Sequence, residues 1–299
     1  MSTNNKMSLA GIYPTLPTPF FINGDIDLGR LRRNLLRNSA YCSGYVLQGS
    51  NGEYVFLDHE ERVSLVRAAR EIIPSSQLLI VGAGMESTSA TIDLTKCMSD
   101  AGADIVLVIT PHYYRGSMSH KALEHHYMRI ASKSPVPVLL YSAPMFTGLD
   151  LPVEVTKLLS KHNNIIGIKE SSGDVAKIKN LVHETPKDFE VLTGSASQFL
   201  AGLNVGAVGG ILALANIAAK SLSELMDLFG QGEMERAEQI QICLVPVTKA
   251  LKKHCGIAGL KAALEMIDKC GGEVRSPLLP LLDSEKVELR SILEKTGLL

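Results

Sequence analysis

Short runs of aliphatic and β-branched residues alternate with longer amphipathic segments along most of the chain. The runs at 11–15 and 44–47 are of strand length, and each precedes a segment whose apolar residues recur at helical spacing. Eight such pairs fit between residues 11 and 229. Strands are predicted at 11–15, 44–47, 78–81, 105–109, 138–141, 165–169, 189–192 and 207–212, and helices at 28–41, 58–73, 87–101, 119–132, 152–162, 174–184, 197–203 and 218–229.

This alternation predicts the fold. Strands that alternate with helices form a parallel sheet, and eight units of this size favour a closed (β/α)8 TIM barrel. An open doubly wound sheet is the alternative, but no Gly-x-Gly-x-x-Gly fingerprint follows the first strand. After residue 232 the pattern is purely helical, at 233–253, 259–269 and 284–295. We therefore predict a barrel over residues 8–230 and a C-terminal helical region over residues 231–299.

Composition and charge restrict the partners. The formal net charge is −1, so no bulk electrostatic field attracts nucleic acid or an acidic membrane. No apolar run reaches the length of a membrane span, and the first ten residues resemble neither a secretory signal nor a mitochondrial presequence. The five cysteines include no Cys-x-x-Cys pair, which favours reduced thiols over disulfides or a zinc site. These features predict a cytoplasmic protein without nucleic-acid or membrane partners.

Three histidines lie on one predicted helix, at His120, His125 and His126. Their spacing is not the His-Glu-x-x-His pattern of a zinc-binding helix. We predict a solvated helix face here and no metal site.

Polar residues collect where the predicted strands end. In a barrel of this kind the carboxyl ends of the strands meet at one rim, where active sites lie. The second and fourth strands are followed by the polar segments 48–53 and 110–116. The fifth strand ends in Tyr141, the sixth ends in Lys169, and Ser195 follows the seventh. One rim thus receives hydroxyls, amides, tyrosines and a single lysine.

Lys169 suggests the chemistry of that rim. Apolar neighbours such as Ile168 desolvate its amine, and desolvation lowers the pKa of a lysine because the charged form loses hydration. A neutral amine forms a Schiff base with a carbonyl compound, and a nearby tyrosine can move protons. The Ser50–Asn51 turn offers N–H groups and a hydroxyl that suit a carboxylate. These residue types favour a class I aldolase for 2-oxo acids, with a covalent Schiff base on Lys169 and no metal or cofactor.

Four segments carry a resemblance to a known family. The order and spacing of these segments resemble those of the dihydrodipicolinate synthase / N-acetylneuraminate lyase family of pyruvate-dependent aldolases, and the resemblance covers nearly all of the chain. The segments are Gly49-Ser50-Asn51-Gly52-Glu53, Thr110-Pro111-His112-Tyr113-Tyr114, Tyr141-Ser142-Ala143-Pro144 and Gly167-Ile168-Lys169-Glu170. Within that family it is most similar to the 4-hydroxy-2-oxoglutarate aldolases, for example over Thr147-Gly148-Leu149-Asp150-Leu151-Pro152.

The resemblance implies an activity. We expect cleavage of 4-hydroxy-2-oxoglutarate to pyruvate and glyoxylate by a metal-independent carbon–carbon lyase. The alternatives are a related pyruvate aldolase acting on a 2-keto-3-deoxy sugar acid, and dihydrodipicolinate synthase itself. A non-catalytic binding oligomer is a more remote alternative, because such a protein is expected to have lost the lysine or a tyrosine.

The resemblance also implies catalytic roles. Lys169 forms the Schiff base with the 2-keto carbon, and Tyr141 is the acid/base for the 4-hydroxyl or aldehyde oxygen. Ser50 links Tyr141 to Tyr113 in a proton relay. Tyr113 is expected from a neighbouring subunit, so a dimer is the minimum active unit and a homotetramer is expected.

Further residues are implied in substrate binding. Ser50 and Asn51 hold the pyruvate carboxylate, and Ser171 holds the rest of the substrate. The backbone around Gly210 and Ile211 lines the pocket.

One position departs from the family pattern. Dihydrodipicolinate synthases place an arginine shortly after the Tyr-x-x-Pro segment to receive a semialdehyde's carboxylate, and Phe146 stands there in this chain. Phe146 therefore favours a less polar aldehyde, and Arg115 is the candidate for receiving a second carboxylate.

The resemblance also bears on localisation. Because mammalian relatives are mitochondrial, a mitochondrial location is the alternative to the cytoplasmic one.

Overall fold

The computed structural model describes residues 7–253 and 256–299, and for residues 252 and 253 the backbone only. Strands in this part of the chain lie at Gly11–Pro14 (β1), Gly44–Leu47 (β2), Leu78–Gly82 (β3), Ile105–Ile109 (β4), Val138–Ser142 (β5), Ile165–Glu170 (β6), Glu190–Thr193 (β7) and Gly209–Leu212 (β8). Helices lie at Leu28–Arg37 (α1), His59–Arg70 (α2), Thr88–Asp100 (α3), His120–Ala131 (α4), Pro144–Thr147 (α5), Val153–Leu159 (α6), Val175–Glu184 (α7), Phe199–Asn204 (α8), Ala215–Gly230 (α9), Met234–Lys253 (α10), Ile257–Asp268 (α11) and Asp283–Lys295 (α12).

The strands form a parallel barrel. Each strand from β2 to β7 pairs with the next one in the chain, and β8 pairs with β1. Between β1 and β2 the barrel is closed by a bridge from Thr15 to Val46, where the Leu16 N–H donates to the Val46 carbonyl at 2.9 Å. The predicted TIM barrel is confirmed.

Strand alternation decides which residues face the barrel interior. On β5, Leu139 and Tyr141 belong to a buried cluster that draws on strands around the barrel. Val138 and Leu140, between them, pack into the cluster shared with the surrounding helices. Successive side chains of a strand point to opposite faces, so the pattern of β5 aims Tyr141 inward.

A short helix was not predicted from the sequence. The four-residue helix α5 follows β5 and begins at Pro144. It ends before Gly148, and this glycine adopts the left-handed conformation with φ of 62°. Proline suits the first helical position, and glycine suits the left-handed position that follows a helix. This turn lies at the rim of the barrel and carries Met145 and Phe146.

The C-terminal helices share a core with the barrel. One buried cluster joins Ile12 of β1 and Phe199 of α8 to Leu244 of α10, Leu260 of α11 and Leu289 of α12. The bounds of α10, α11 and α12 lie within about two residues of the helices predicted there, and the division into a barrel and a C-terminal region at residue 230 stays a prediction. The C-terminal region is therefore packed on one side of the barrel.

Two further observations bear on the expectations from composition. Among the described residues no helix combines the length and the apolar character needed to cross a membrane. Cys42, Cys97, Cys243 and Cys270 have free thiols, and Cys255 lies outside the described residues.

The histidine face of α4 differs from the prediction. His120 and His125 are exposed, but His126 is only 5% exposed, and its Nδ1 lies 2.9 Å from the Thr88 hydroxyl. Burial lowers the pKa of His126 to about 4. The solvated face predicted for all three histidines is wrong for His126, because the helix places it beside the buried Tyr127 and Ile130. No described group of three or more His, Cys, Asp or Glu side chains is placed to hold a metal ion.

We expect His126 to make the fold acid-sensitive. Its native pKa of about 4 lies below the ordinary histidine value of about 6.5, so the native state resists protonation. Its contribution to the free energy of unfolding is complete above pH 6.5 and is lost as the pH falls toward 4, by about 2 kcal/mol at pH 5. Between pH 7 and pH 5, the free energy of unfolding measured in urea should fall less in His126→Gln than in the unmodified chain. The exposed His125→Gln is the control, and an equal loss in both variants would contradict the assignment.

Candidate active site

A cavity of about 580 Å³ opens at the carboxyl ends of the strands. Strand ends and the loops after them supply its deep wall, and α10 and α11 supply part of its outer wall. The lining includes Ser50, Asn51, Tyr141, Lys169, Ser171 and Ile211. Six residues predicted from the sequence thus lie around one space.

Lys169 and Tyr141 are neighbours at the floor of the cavity. They are paired residues in the parallel register of β5 and β6, so both side chains point to the same face of the sheet. The Lys169 Nζ lies 4.1 Å from the centroid of the Tyr141 ring. Lys169 is 3% exposed, which leaves its amine accessible chiefly through the cavity.

Ser50 approaches the same tyrosine from the turn after β2. Its hydroxyl lies 3.2 Å from the Tyr141 hydroxyl, and either group can donate. Ser50–Gly52 form a single 3-10 turn, which is tied to the loop after β1 by a 2.7 Å hydrogen bond from the Thr18 hydroxyl to the Gly52 carbonyl. Because Asn51 lies in the same turn and lines the cavity, this segment places polar groups opposite Lys169.

Ser171 directly follows β6, and its hydroxyl is buried with no hydrogen-bond partner in the described part of the protein. Its space depends on Gly194, because a Cβ at that position would lie 1.8 Å from the Ser171 Oγ. The Ser171 hydroxyl thus has no hydrogen-bond partner among the described residues and lies on a residue that lines the cavity, and its role in substrate binding stays a prediction.

Thr15 is a residue that the sequence reasoning missed. It lines the cavity at the end of β1, and its hydroxyl is also buried without a partner among the described residues. The rule that strand ends carry the chemistry of a barrel would have found it. The outer wall residues Thr248, Leu251 and Ile257 gave no comparable signal, because they lie on C-terminal helices.

Two predicted residues lie outside the cavity of the single chain. Tyr113 is 76% exposed, and its ring packs edge-on against Tyr114 with centroids 5.0 Å apart. Its N–H donates to Glu86 at 2.9 Å, which fixes the backbone of this loop. Gly210 lies on β8 next to Ile211, but only Ile211 lines the cavity.

The mouth of the cavity is apolar at α5. Met145 and Phe146 line it and are 68% and 55% exposed. Arg115 is exposed and lies outside the lining, where its guanidinium is beside Gly148. Among the described lining residues Lys169 is the only lysine or arginine, so Arg115 does not reach the cavity of its own chain.

An ion network of the buried Glu170 and Lys177 with the half-exposed Asp150 holds the end of β6 on the side opposite the cavity. Lys177 of α7 lies 2.6 Å from the Glu170 carboxylate and 2.5 Å from Asp150. The second Glu170 oxygen accepts a 2.6 Å hydrogen bond from the Ser172 N–H. Because Glu170 directly follows Lys169, these contacts hold the backbone that carries the Lys169 amine. The sequence reasoning did not identify this network.

Comparison with known proteins yields one family. Residues 8–296 match the dihydrodipicolinate synthetase family. A 4-hydroxy-tetrahydrodipicolinate synthase of Methanothrix thermoacetophila is 34% identical over 287 residues, which are 95% of this chain and 96% of the relative. The synthase of Methanosarcina acetivorans is 34% identical over 295 residues, with 97% and 99% covered.

Solved structures agree with the sequence relatives. A dihydrodipicolinate synthase of Bacillus anthracis has a TM-score of 0.93 and 31% identity, over 96% of this chain and 98% of that one. A prophage protein of the dihydrodipicolinic acid synthase family from Escherichia coli K12, solved in complex with pyruvate, has a TM-score of 0.92 and 26% identity, over 98% and 100%.

These comparisons correct part of the expected resemblance. The two sequence relatives carry the name of the synthase, so the expected likeness to 4-hydroxy-2-oxoglutarate aldolases is not supported. They come from Methanothrix and Methanosarcina, which gives no support to the mitochondrial alternative.

Proposed function

The chain belongs to the dihydrodipicolinate synthetase family, and on this premise we propose that it is a class I lyase that binds pyruvate on Lys169 and makes or breaks a carbon–carbon bond to an aldehyde. The observation that carries the proposal is the contact geometry at the cavity floor. The Lys169 amine lies 4.1 Å from the Tyr141 ring centroid, and the Tyr141 hydroxyl lies 3.2 Å from Ser50. A nucleophile and a proton-transfer group therefore face the same space.

The reaction follows from these groups. The neutral Lys169 amine adds to C2 of pyruvate, and loss of water leaves an imine. Transfer of a methyl proton to the deprotonated Tyr141 oxygen gives an enamine, and the same proton passes from Tyr141 to the aldehyde oxygen as the enamine carbon attacks the aldehyde carbon. Water then hydrolyses the imine, which frees the amine and a 4-hydroxy-2-oxo acid. Cleavage is the same sequence in reverse.

The turn opposite Lys169 supports a seat for the pyruvate carboxylate. Ser50 and Asn51 line the cavity in one turn, and successive N–H groups of such a turn favour an anion. Ser171, with its unpaired hydroxyl, supplies a further contact to the bound substrate.

Tyr113 supports an oligomeric enzyme. It is exposed in the single chain and does not line the chain's own cavity, so its role in the relay requires delivery from a second copy. We expect a dimer as the minimum active unit and a homotetramer as the assembly, which sedimentation or light scattering tests directly.

Two reactions that differ in the aldehyde are the first candidates. The name of the relatives makes synthesis of 4-hydroxy-tetrahydrodipicolinate the first reaction to assay. Cleavage of 4-hydroxy-2-oxoglutarate to pyruvate and glyoxylate is the second reaction to assay. Phe146 places no cation at the mouth of the cavity for the carboxylate of either aldehyde, so a less polar aldehyde belongs in the same assay.

Incubation with pyruvate and borohydride tests the proposal. We expect a stable mass adduct, mapped by peptide analysis to Lys169. Treatment with EDTA should leave the activity unchanged. An unmodified Lys169, or activity lost on chelation and restored by a metal, would be incompatible with a metal-independent Schiff base.

Phe146→Arg is expected to change the acceptor preference. A guanidinium at the mouth can pair with the carboxylate of a longer aldehyde, and a hydrogen bond to a charged group is worth about tenfold or more. The kcat/KM ratio for succinic semialdehyde over butanal, each condensed with pyruvate, should rise by about this factor. Phe146→Leu is the control that removes the ring without adding charge. An unchanged ratio in Phe146→Arg would place the acceptor away from α5.

A further inference from the structure

The turn that carries Ser50 and Asn51 ends in a strained residue. Glu53 directly follows it and adopts the left-handed conformation, with φ of 53° and ψ of 33°. Its N–H donates to the Ser50 carbonyl at 3.3 Å, which closes the turn. A residue with a Cβ adopts this conformation at a cost in free energy, so contacts of the side chain must maintain it.

Those contacts come from the C-terminal region. One Glu53 carboxylate oxygen is paired with the Nζ of Lys261 on α11. The other accepts a 2.8 Å hydrogen bond from the backbone N–H of Arg275. Glu53 is 1% exposed, so its charge is compensated by these two groups rather than by solvent.

Lys261 is equally enclosed. It is 2% exposed, donates to the Glu273 carbonyl at 2.5 Å, and lies 4.5 Å from the centroid of the Phe20 ring. Burial lowers the pKa of Lys261 to about 8, although the charge of Glu53 opposes this shift. Removal of either charged group leaves the other buried without its opposite charge, which is strongly unfavourable.

We propose that Lys261 is a positioning residue that, through Glu53, holds the Ser50–Asn51 turn in the shape that receives the carboxylate of pyruvate. The inference rests on the proposed function, because it assigns pyruvate to that turn. It gives the C-terminal helical region a role in substrate affinity, although the reactive amine belongs to the barrel.

The test compares pyruvate affinity with turnover. In Lys261→Met, the pyruvate concentration that gives half-maximal borohydride adduct on Lys169 should rise about ten- to a hundredfold, the scale of a small misplacement of binding groups. Lys169 and Tyr141 lie on β6 and β5 and not on this turn, whereas Ser50 of the turn contacts Tyr141. In this variant kcat at saturating pyruvate should therefore fall by a smaller factor than the half-saturating pyruvate concentration rises. A purely structural role for Lys261 would lower the stability without this separation of KM from kcat.

Arg275→Met is the matched control. The Arg275 guanidinium binds Glu61 and the Phe56 carbonyl, whereas Glu53 uses only the Arg275 backbone N–H, which the substitution keeps. This variant should unfold at a lower temperature with an unchanged half-saturating pyruvate concentration. An equal rise in both variants would show that docking of the region as a whole, and not Lys261, sets the affinity.

The double variant Glu53→Gln with Lys261→Met keeps the inference testable if Lys261→Met folds poorly. It removes both buried charges, and glutamine still accepts the Arg275 N–H, so its half-saturating pyruvate concentration should lie within about tenfold of that of the unmodified chain. An unchanged half-saturating concentration in a folded Lys261→Met, or a rise beyond this range in the double variant, overturns the inference alone. Absence of any adduct in the unmodified chain overturns the proposed function as well.

Discussion

Replacement of Lys169 by methionine is expected to lower kcat/KM by about 10⁴-fold or more, and to abolish the pyruvate adduct. Losses of this size are seen when a covalent nucleophile is removed. Methionine has a similar length and is apolar, so it suits a position that is nearly fully buried beside the Tyr141 ring. Steady-state assay of pyruvate release, with mass analysis after borohydride treatment, measures both effects.

Lys177→Met is the control for Lys169. Lys177 is also a buried lysine, but it pairs with Glu170 and Asp150 and does not line the cavity. Removing one partner of a buried ion pair typically costs about 3–5 kcal/mol of stability. This variant should therefore be less stable and still form the adduct on Lys169. Substantial turnover in Lys169→Met, or an adduct that moves to Lys177, would refute the assignment of the amine.

Tyr141→Phe is expected to reduce kcat by about 10²–10⁴-fold, the usual contribution of a positioned proton-transfer group. The ring that packs beside the Lys169 amine is kept, while the hydroxyl that faces Ser50 is lost. Pyruvate should still be trapped on Lys169, because phenylalanine does not remove the nucleophile. Adduct mass and turnover, measured on the same preparation, separate the two steps.

Tyr45→Phe is the matched control. The Tyr45 hydroxyl is buried and donates to the Leu35 carbonyl, away from the cavity. Its loss should affect stability and leave kcat within about twofold, since no group in the cavity changes. If Tyr141→Phe kept a comparable rate, the proton would have to pass through another group, such as Ser50.

The barrel was predictable because its signal is local. Each strand is a short apolar run and each helix a longer amphipathic one, so their order alone indicates eight parallel units. The four-residue α5 escaped prediction since it is too short to show a helical period. His126 was misjudged because the phase of α4 relative to the barrel is decided by packing with Tyr127 and Ile130.

The deep part of the candidate site was predictable for a related reason. Strand ends of a parallel barrel meet at one rim, so Tyr141, Lys169 and the turn at Ser50 had to be near one another. Register and strand alternation then set the contact between the amine and the ring. Tyr113 and Gly210 were predicted for the same site but do not line the cavity of the chain. Their positions in the sequence alone could not show this difference.

The sequence by itself determined the barrel, the polar ends of its strands and the family of the chain. Only the tertiary structure decided which distant segments complete the cavity: α5 brings Phe146 to its mouth, α10 and α11 supply its outer wall, and Lys261 pairs with Glu53 at the end of the Ser50–Gly52 turn. The physical reason is the range of the forces involved. Periodicity and turn chemistry act between residues close in the chain, whereas burial of an ion pair depends on how whole elements pack.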